Sequence, residues 1–169
     1  MQAEFINPFI ISFTNTFQTM LSQSVTRGKL ALTDSLEGLY EVNGIIGLSG
    51  KAVGTIVLSF ETGVALQAAS SLLMCDAHEL NDDVVDAVSE LTNMVAGAAK
   101  AKLDQYEMSI SLPNVVVGST IDVRFPSTVT PIIVPFTCEW GNIRMQVGLS
   151  VKAPSQRPKG VADPTASLP

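Results

Sequence analysis

A helical segment, then short strands, then a long hairpin: this order occurs twice along the chain, and it constrains the fold more than any other feature. In the first copy Asn7 is placed to cap a helix whose first turn accepts Pro8, where a missing N–H costs nothing. Phe9, Ile10, Phe13, Phe17, Met20 and Leu21 recur at helical spacing, and Arg27-Gly28 closes the segment. Tyr40 to Leu48 and Ala52 to Phe60 then flank the turn Ser49-Gly50-Lys51. Ile56, Leu58 and Phe60 alternate with Thr55, Val57 and Ser59, which predicts one sheet face packed on helices.

The second copy starts after an apolar helical stretch from Glu61 to Met74. Asn81 is a helix cap, Asp82 and Asp83 suit the positive end of the dipole, and the helix is predicted to run to about Asp104. Val115 to Val117 and Ile121 to Phe125 read as strands. Val129 to Cys138 and Ile143 to Val151 form a last hairpin around Trp140-Gly141-Asn142. The expected class is therefore α/β (α+β): a long, largely antiparallel sheet with helices layered on it, in two pseudo-repeated halves. Superposing the leading helices sets Thr14-Asn15 on Thr92-Asn93, Ser12 where Glu90 stands, and Leu58-Ser59 against Leu149-Ser150. On that register the first half keeps the amide and has lost the carboxylate. Residues 1–153 form one expected domain; 154–169, with four prolines and little apolar content, is an expected disordered tail.

Composition then excludes whole classes of function. The 169 residues carry a net charge of −6, against the basic footprint of nucleic-acid binding. Only 15% are charged and 46% hydrophobic, which favours a packed domain over disorder. No apolar run approaches the roughly 18 residues of a membrane span. Met1-Gln2-Ala3-Glu4 lacks the basic start of a signal peptide, and Cys75 and Cys138 make no disulfide framework. The expected setting is cytoplasmic, with free thiols.

One helical face carries the candidate chemistry. At about 100° per residue, Asp86, Ser89, Glu90, Asn93, Gly97 and Lys100 share a side, opposite Val84, Val88, Leu91, Val95 and Ala98. From spacing alone this is a solvated helix face. Ala96 and Gly97 argue otherwise, since a mid-helix glycine costs about 1 kcal/mol relative to alanine and gives instead a close approach for a partner. Other constellations carry less. Glu4-x-x-Asn7 repeats the spacing, but Asn7 reads as a cap. Cys75, Asp76, His78, Glu79, Asp82 and Asp83 lack the second ligand pair of a zinc site; Cys75 is expected at a buried helix end, His78 in a loop. No G-x-S-x-G elbow or phosphate-cradling glycine loop is present, and Trp140 reads as a half-buried hairpin anchor.

Asp86-x3-Glu90-x2-Asn93 resembles the D-x3-E-x2-N helix of the CheC/CheX/FliY chemotaxis phosphatases. Phe5-Ile6-Asn7-Pro8-Phe9 is similar to the start of CheX chains, and Leu112-Pro113 with Val115 to Gly118 resembles the segment after their active-site helix. The resemblance covers most of the chain up to the last hairpin. With one complete motif it is the single-site CheX arrangement, and Pro113 matches the downstream proline. It implies the CheC-like fold and hydrolysis of the aspartyl phosphate of a CheY-like response regulator. Asn93 would orient the attacking water; Glu90 would pair with the regulator's phosphate-site lysine; Asp86 and Gly97 would serve docking. No cofactor or metal would be bound by this chain, Mg²⁺ belonging to the regulator. Association through strands would make a homodimer. The alternative is a CheC-like adaptor that binds a signalling or flagellar switch partner without hydrolysis.

Overall fold

The computed structural model describes residues 3–32, 38–121 and 123–152. Helix α1 (Ala3–Leu21) leads to two short strands, β1 (Thr26–Arg27) and β2 (Ala31–Leu32), and then to the hairpin β3 (Val42–Ser49) and β4 (Ala52–Phe60). Helix α2 (Thr62–Leu73) links this half to the second. There α3 (Asp82–Ala101) and a 3-10 turn (Asp104–Tyr106) precede short strands β5 (Ser109–Ile110) and β6 (Asn114–Val117). The hairpin β7 (Ile132–Cys138) and β8 (Gly141–Val151) completes it. All pairings are antiparallel, in the order β1-β7-β8-β4-β3-β5, with β2 also on β7 and β6 also on β3.

The expected mixed architecture with its repeated halves is what forms, and the halves are interleaved. The short strands of the first half extend β7 of the second, and those of the second half extend β3 of the first. Each hairpin edge that the sequence leaves open is thereby partly covered by the other half.

Register explains the core. Val42, Phe60, Ile143 and Phe136 lie side by side across four strands; Gly44, Leu58, Met145 and Val134 form the next row; Ile46, Ile56, Val147 and Ile132 the third. These rows face α1 and α3. The Phe13 ring stacks on Phe136 at 4.3 Å and on Phe17 at 4.4 Å, joining α1 to the sheet. Burying each such aromatic contributes roughly 1.5–3 kcal/mol.

Several elements depart from their expected form. Helix α1 starts at Ala3, so Asn7 lies within it and is no cap. The extra turn is held because Phe5 and Ile6 are buried, with the Phe5 ring 5.1 Å from that of Tyr106. Pro8 forfeits only the hydrogen bond to the Glu4 carbonyl, near the helix end. The helix stops at Leu21, where Ser22 takes a left-handed conformation (φ 54°), well before Arg27. Helix α3 ends at Ala101, not Asp104. Among the described residues of 121–125 there is no strand, and β7 begins at Ile132. That stretch instead crosses the second sheet face, where Phe125 and Val129 occupy the space a side chain at Gly148 would take. Only the second half of β4 is buried on both faces: Val57 and Ser59 are as inaccessible as Ile56 and Leu58, and the Ser59 hydroxyl accepts from the Tyr40 N–H at 2.6 Å. The division after residue 153 and the tail 154–169 lie outside the described residues.

The repeat register also needs correction. Ser12 is buried whereas Glu90 is exposed, so Ser12 belongs with the inward positions of α3 and does not occupy the Glu90 position.

Helix α3 sits unusually close to β3. A Cβ at Gly44 would overlap the Thr92 hydroxyl and fall 3.0 Å from the Thr92 Cβ. Thr92 is fully buried and its hydroxyl donates to the Val88 carbonyl at 2.7 Å. Gly44→Ala should therefore destabilise the fold by about 1–3 kcal/mol through overpacking, read as a lower urea midpoint at unchanged m. Adding Thr92→Ala should recover part of that loss; strict additivity of the two effects would refute the contact.

Candidate functional site

The local sequence places the site helix firmly. The Asn81 side chain accepts a hydrogen bond from the Val84 N–H at 3.2 Å, as its cap position predicts. Asp82 and Asp83 occupy the first turn of α3 and Lys100 the last, both in the favourable sense of the helix dipole. Val84, Ala87, Val88, Leu91, Thr92, Val95, Ala96 and Ala99 are buried, two per turn. This inward stripe differs from the expected one at its end: Ala98 is exposed, while Ala96 is buried and is not available to a partner.

The outward stripe is as expected. Asp86 and Glu90 are exposed, and Ser89, Asn93 and Gly97 are half-buried. Among the described residues neither the Glu90 carboxylate nor the Asn93 amide has a hydrogen-bond or ion-pair partner within the chain. Both are therefore free to bind something else, and the amide can donate and accept at once.

A groove of about 380 Å³ lies on this face, lined by Asp86, Ser89, Glu90, Asn93, Leu112 and Pro113. Three residues of the sequence motif thus share one concavity with the downstream proline, about twenty positions along the chain. Gly97 is not part of the lining. Its missing side chain faces open space, the nearest atom to an added Cβ being the Ile110 Cδ1 at 4.0 Å, so nothing within the fold requires glycine there.

The wall opposite α3 is built by a break in the sheet edge. Ile110 pairs with Leu48 and Asn114 with Ile45, while the Ser111 N–H donates to the Gly47 carbonyl at 2.9 Å. Leu112 and Pro113 consequently stand opposite the single residue Ile46, a β-bulge of one extra residue. Proline has no N–H to give to the ladder, which suits it to such a break. The Ser111 hydroxyl secures the bend: it accepts from the Gly47 N–H at 3.0 Å and donates to the Leu112 carbonyl at 2.8 Å. Leu112 is left 86% exposed on the groove rim. The sequence reading did not single out Ser111 or the exposure of Leu112. The available signal was Ser-Leu-Pro between two short β-prone runs, which marks a bend and not its direction.

The remaining candidates fall elsewhere. Glu4 and Asn7 are exposed on the first turns of α1, and Asn15 is exposed further along that helix. Cys75 is exposed, contrary to the buried helix end expected for it, because α2 stops at Leu73 and Met74 turns left-handed (φ 54°) into the loop. His78 is exposed in that loop and Trp140 is half-buried at its hairpin. Among the described residues no three His, Cys, Asp or Glu side chains are grouped to hold a metal, and no helix is long and apolar enough to cross a membrane.

Comparison with known proteins agrees with this geometry. The CheY-P phosphatase CheX of Thermotoga maritima is 27% identical over 127 residues, spanning 73% of this chain and 82% of that protein. A chemotactic CheC-like protein of Shewanella oneidensis MR-1 superposes with a TM-score of 0.80 at 35% identity, over 89% of this chain and all (100%) of that one. The fold is also that of a CheX–CheY–BeF₃–Mg²⁺ complex from Borrelia burgdorferi, with a TM-score of 0.74 at 22% identity, covering 86% of this chain and 97% of that one. Residues 42–137, which span the groove and both of its walls, match the family model described as chemotaxis phosphatase CheX, and the chain belongs to that family.

Proposed function

We propose that this protein hydrolyses the aspartyl phosphate of a phosphorylated, CheY-like response regulator, with Asn93 and Glu90 as its site residues. The observation that carries the reading is the groove in which an unpartnered amide and an unpartnered carboxylate, one turn apart, face a rigid proline wall. The Thermotoga relative is a CheY-P phosphatase, which supports the same substrate class.

In this reading α3 enters the regulator's acidic pocket. The Asn93 amide accepts from one hydrogen of a water and directs its oxygen at phosphorus. The new P–O bond forms as the bond to the aspartyl oxygen breaks, releasing inorganic phosphate and a free carboxylate. Positioning and electrostatics dominate phosphoryl transfer, so an amide with no basic proton acceptor suffices. Glu90 pairs with a lysine of the regulator, and Asp86 adds to the same acidic rim. Mg²⁺ on the regulator neutralises the developing phosphoryl charge; this chain's residues supply only alignment. In this reading the protein acts in the cytoplasm, where its regulator would be.

Asn93→Ala should leave folding and docking intact, because the side chain faces outward and alanine is the better helix former. Decay of the phosphorylated regulator should slow roughly 10²–10³-fold, the scale for one well-placed polar group at a reacting centre. Glu90→Ala should instead weaken docking and flatten its salt dependence, since it removes an inter-protein charge pair. Asn15→Ala should do little. Single-turnover decay separates the three. Wild-type turnover by Asn93→Ala would favour a CheC-like adaptor, which needs no such pair.

Gly97→Ala tests close approach. It should raise helix stability by about 1 kcal/mol while weakening regulator binding, so that melting temperature and affinity move in opposite directions. An affinity that rises or stays level would remove Gly97 from the docking surface.

We also infer a homodimer formed through sheet edges. Val116 and Val117 on the short strand β6 are 39% and 46% exposed, an apolar edge of the kind that pairs with a second copy. Sedimentation at micromolar concentration should give twice the chain mass; a monomer alone would overturn this.

A further inference from the structure

We propose that Leu112 is a docking residue for the regulator's receiver domain, an apolar anchor presented by the β-bulge beside Glu90 and Asn93. The inference rests on the phosphatase reading of the groove and names how that site holds its partner.

Three observations converge on Leu112. It lines the same groove as Asp86, Glu90 and Asn93, so a partner that fills the groove against the amide also meets its side chain. It is 86% exposed, so it contributes almost nothing to this chain's own core. Its backbone is nonetheless fixed on both sides. Ser111 is bonded twice to Gly47 and once to the Leu112 carbonyl, and Pro113 restricts the residue before it to extended conformations. An exposed leucine on a mobile loop would lose much of its binding energy in ordering; one held in place loses little.

The groove's chemistry selects the occupant. One wall carries two carboxylates and an amide, the other leucine and proline. A partner that fits both offers a cationic side chain next to an apolar patch, within reach of the phosphoryl group that Asn93 serves. The surface within reach is the rim of the regulator's phosphorylation pocket, where the lysine assigned to Glu90 would stand, and the Leu112 contact would continue it. Charge supplies steering and orientation, whereas the buried leucine supplies affinity that salt does not screen.

The test compares full-length wild type with Leu112→Asn and Leu112→Met. Each is measured for binding to a receiver domain loaded with beryllofluoride and Mg²⁺, and for release of phosphate from the phosphorylated domain. Leu112→Asn should weaken binding and raise KM by about ten- to a hundredfold, the equivalent of burying one leucine, with kcat at saturation within about twofold. Leu112→Met should restore most of the affinity. The loss should be the same at low and high salt, unlike that of Glu90→Ala. Equal binding by Leu112→Asn and wild type would overturn the proposal. A fall in kcat at unchanged KM would overturn it too, since Leu112 would then act on the chemistry. Binding of wild type without phosphate release would refute the phosphatase reading alone, while the effect of Leu112→Asn on affinity still decides the docking role. No binding by wild type would overturn both.

Discussion

Thr92 resting on Gly44 is the contact on which the rest of the site depends. Most helix-on-sheet packing keeps a layer of side chains between the two elements. Here a strand residue without a side chain lets a buried threonine reach the backbone of β3, and the threonine keeps its hydroxyl satisfied on its own helix at Val88. The next residue is Asn93. Its height above the sheet edge, and so its distance from the wall built by Leu112 and Pro113, is set by how close its neighbour comes to Gly44. One missing methyl group in β3 thus helps fix the width of a groove on the other side of the helix.

That wall is anchored to the same strand. Gly44 receives Thr92 on its helix-facing side and pairs with Val115 along the edge, while Gly47 holds Ser111. Both walls of the groove are therefore referenced to β3 within four residues of one another. The role proposed for this groove, positioning a water against another protein's phosphoryl group, would need this rigidity, because the partner would supply the electrophile and this chain only alignment.

Much of this was legible in the residues, and what was not has identifiable causes. Asn81, the acidic first turn and the motif stripe predict α3 and its exposed face correctly, since capping and helical period are local effects. The Asn7-Pro8 pair misleads: locally it is a good helix start, yet burial of Phe5 and Ile6 overrides it and extends the helix past a proline. Ile121 to Phe125 has strand composition, but Phe125 serves a different purpose, filling the space that Gly148 leaves on the second sheet face. Alternation fails along the second half of β4 because a strand covered on both sides has no solvent face to alternate with. Cys75 was misplaced because composition does not reveal where a left-handed residue ends a helix. In the site, the helix side could be read from sequence; the bulge that brings Pro113 to it could not, since it exists only in the register between two distant strands.

The interleaved halves show why, among the described residues, only one half carries the proposed site. At the opposite edge of the sheet, Arg27 pairs with Phe136 and Ala31 with Ile133, while the Gly28 N–H donates to the Pro135 carbonyl at 2.8 Å. Lys29 and Leu30 therefore stand opposite the single residue Val134, just as Leu112 and Pro113 stand opposite Ile46. The bulge is a property of the repeated architecture and occurs in both halves; only its side chains differ. In the first half the exposed position is lysine, and the leucine beside it is half-buried against the core. The outward face of α1 carries Ile11 and Asn15 with no carboxylate between them, its one carboxylate, Glu4, lying two turns before Ile11. A bulge that presents lysine, and a helix face with isoleucine where a carboxylate would be needed, lack the charge to receive a cationic partner. The second half keeps the same backbone device and places leucine on its rim and carboxylates across from it. The repeated fold thus provides two bulged edges, and the choice of a few side chains gives one of them the groove chemistry on which the proposed site rests.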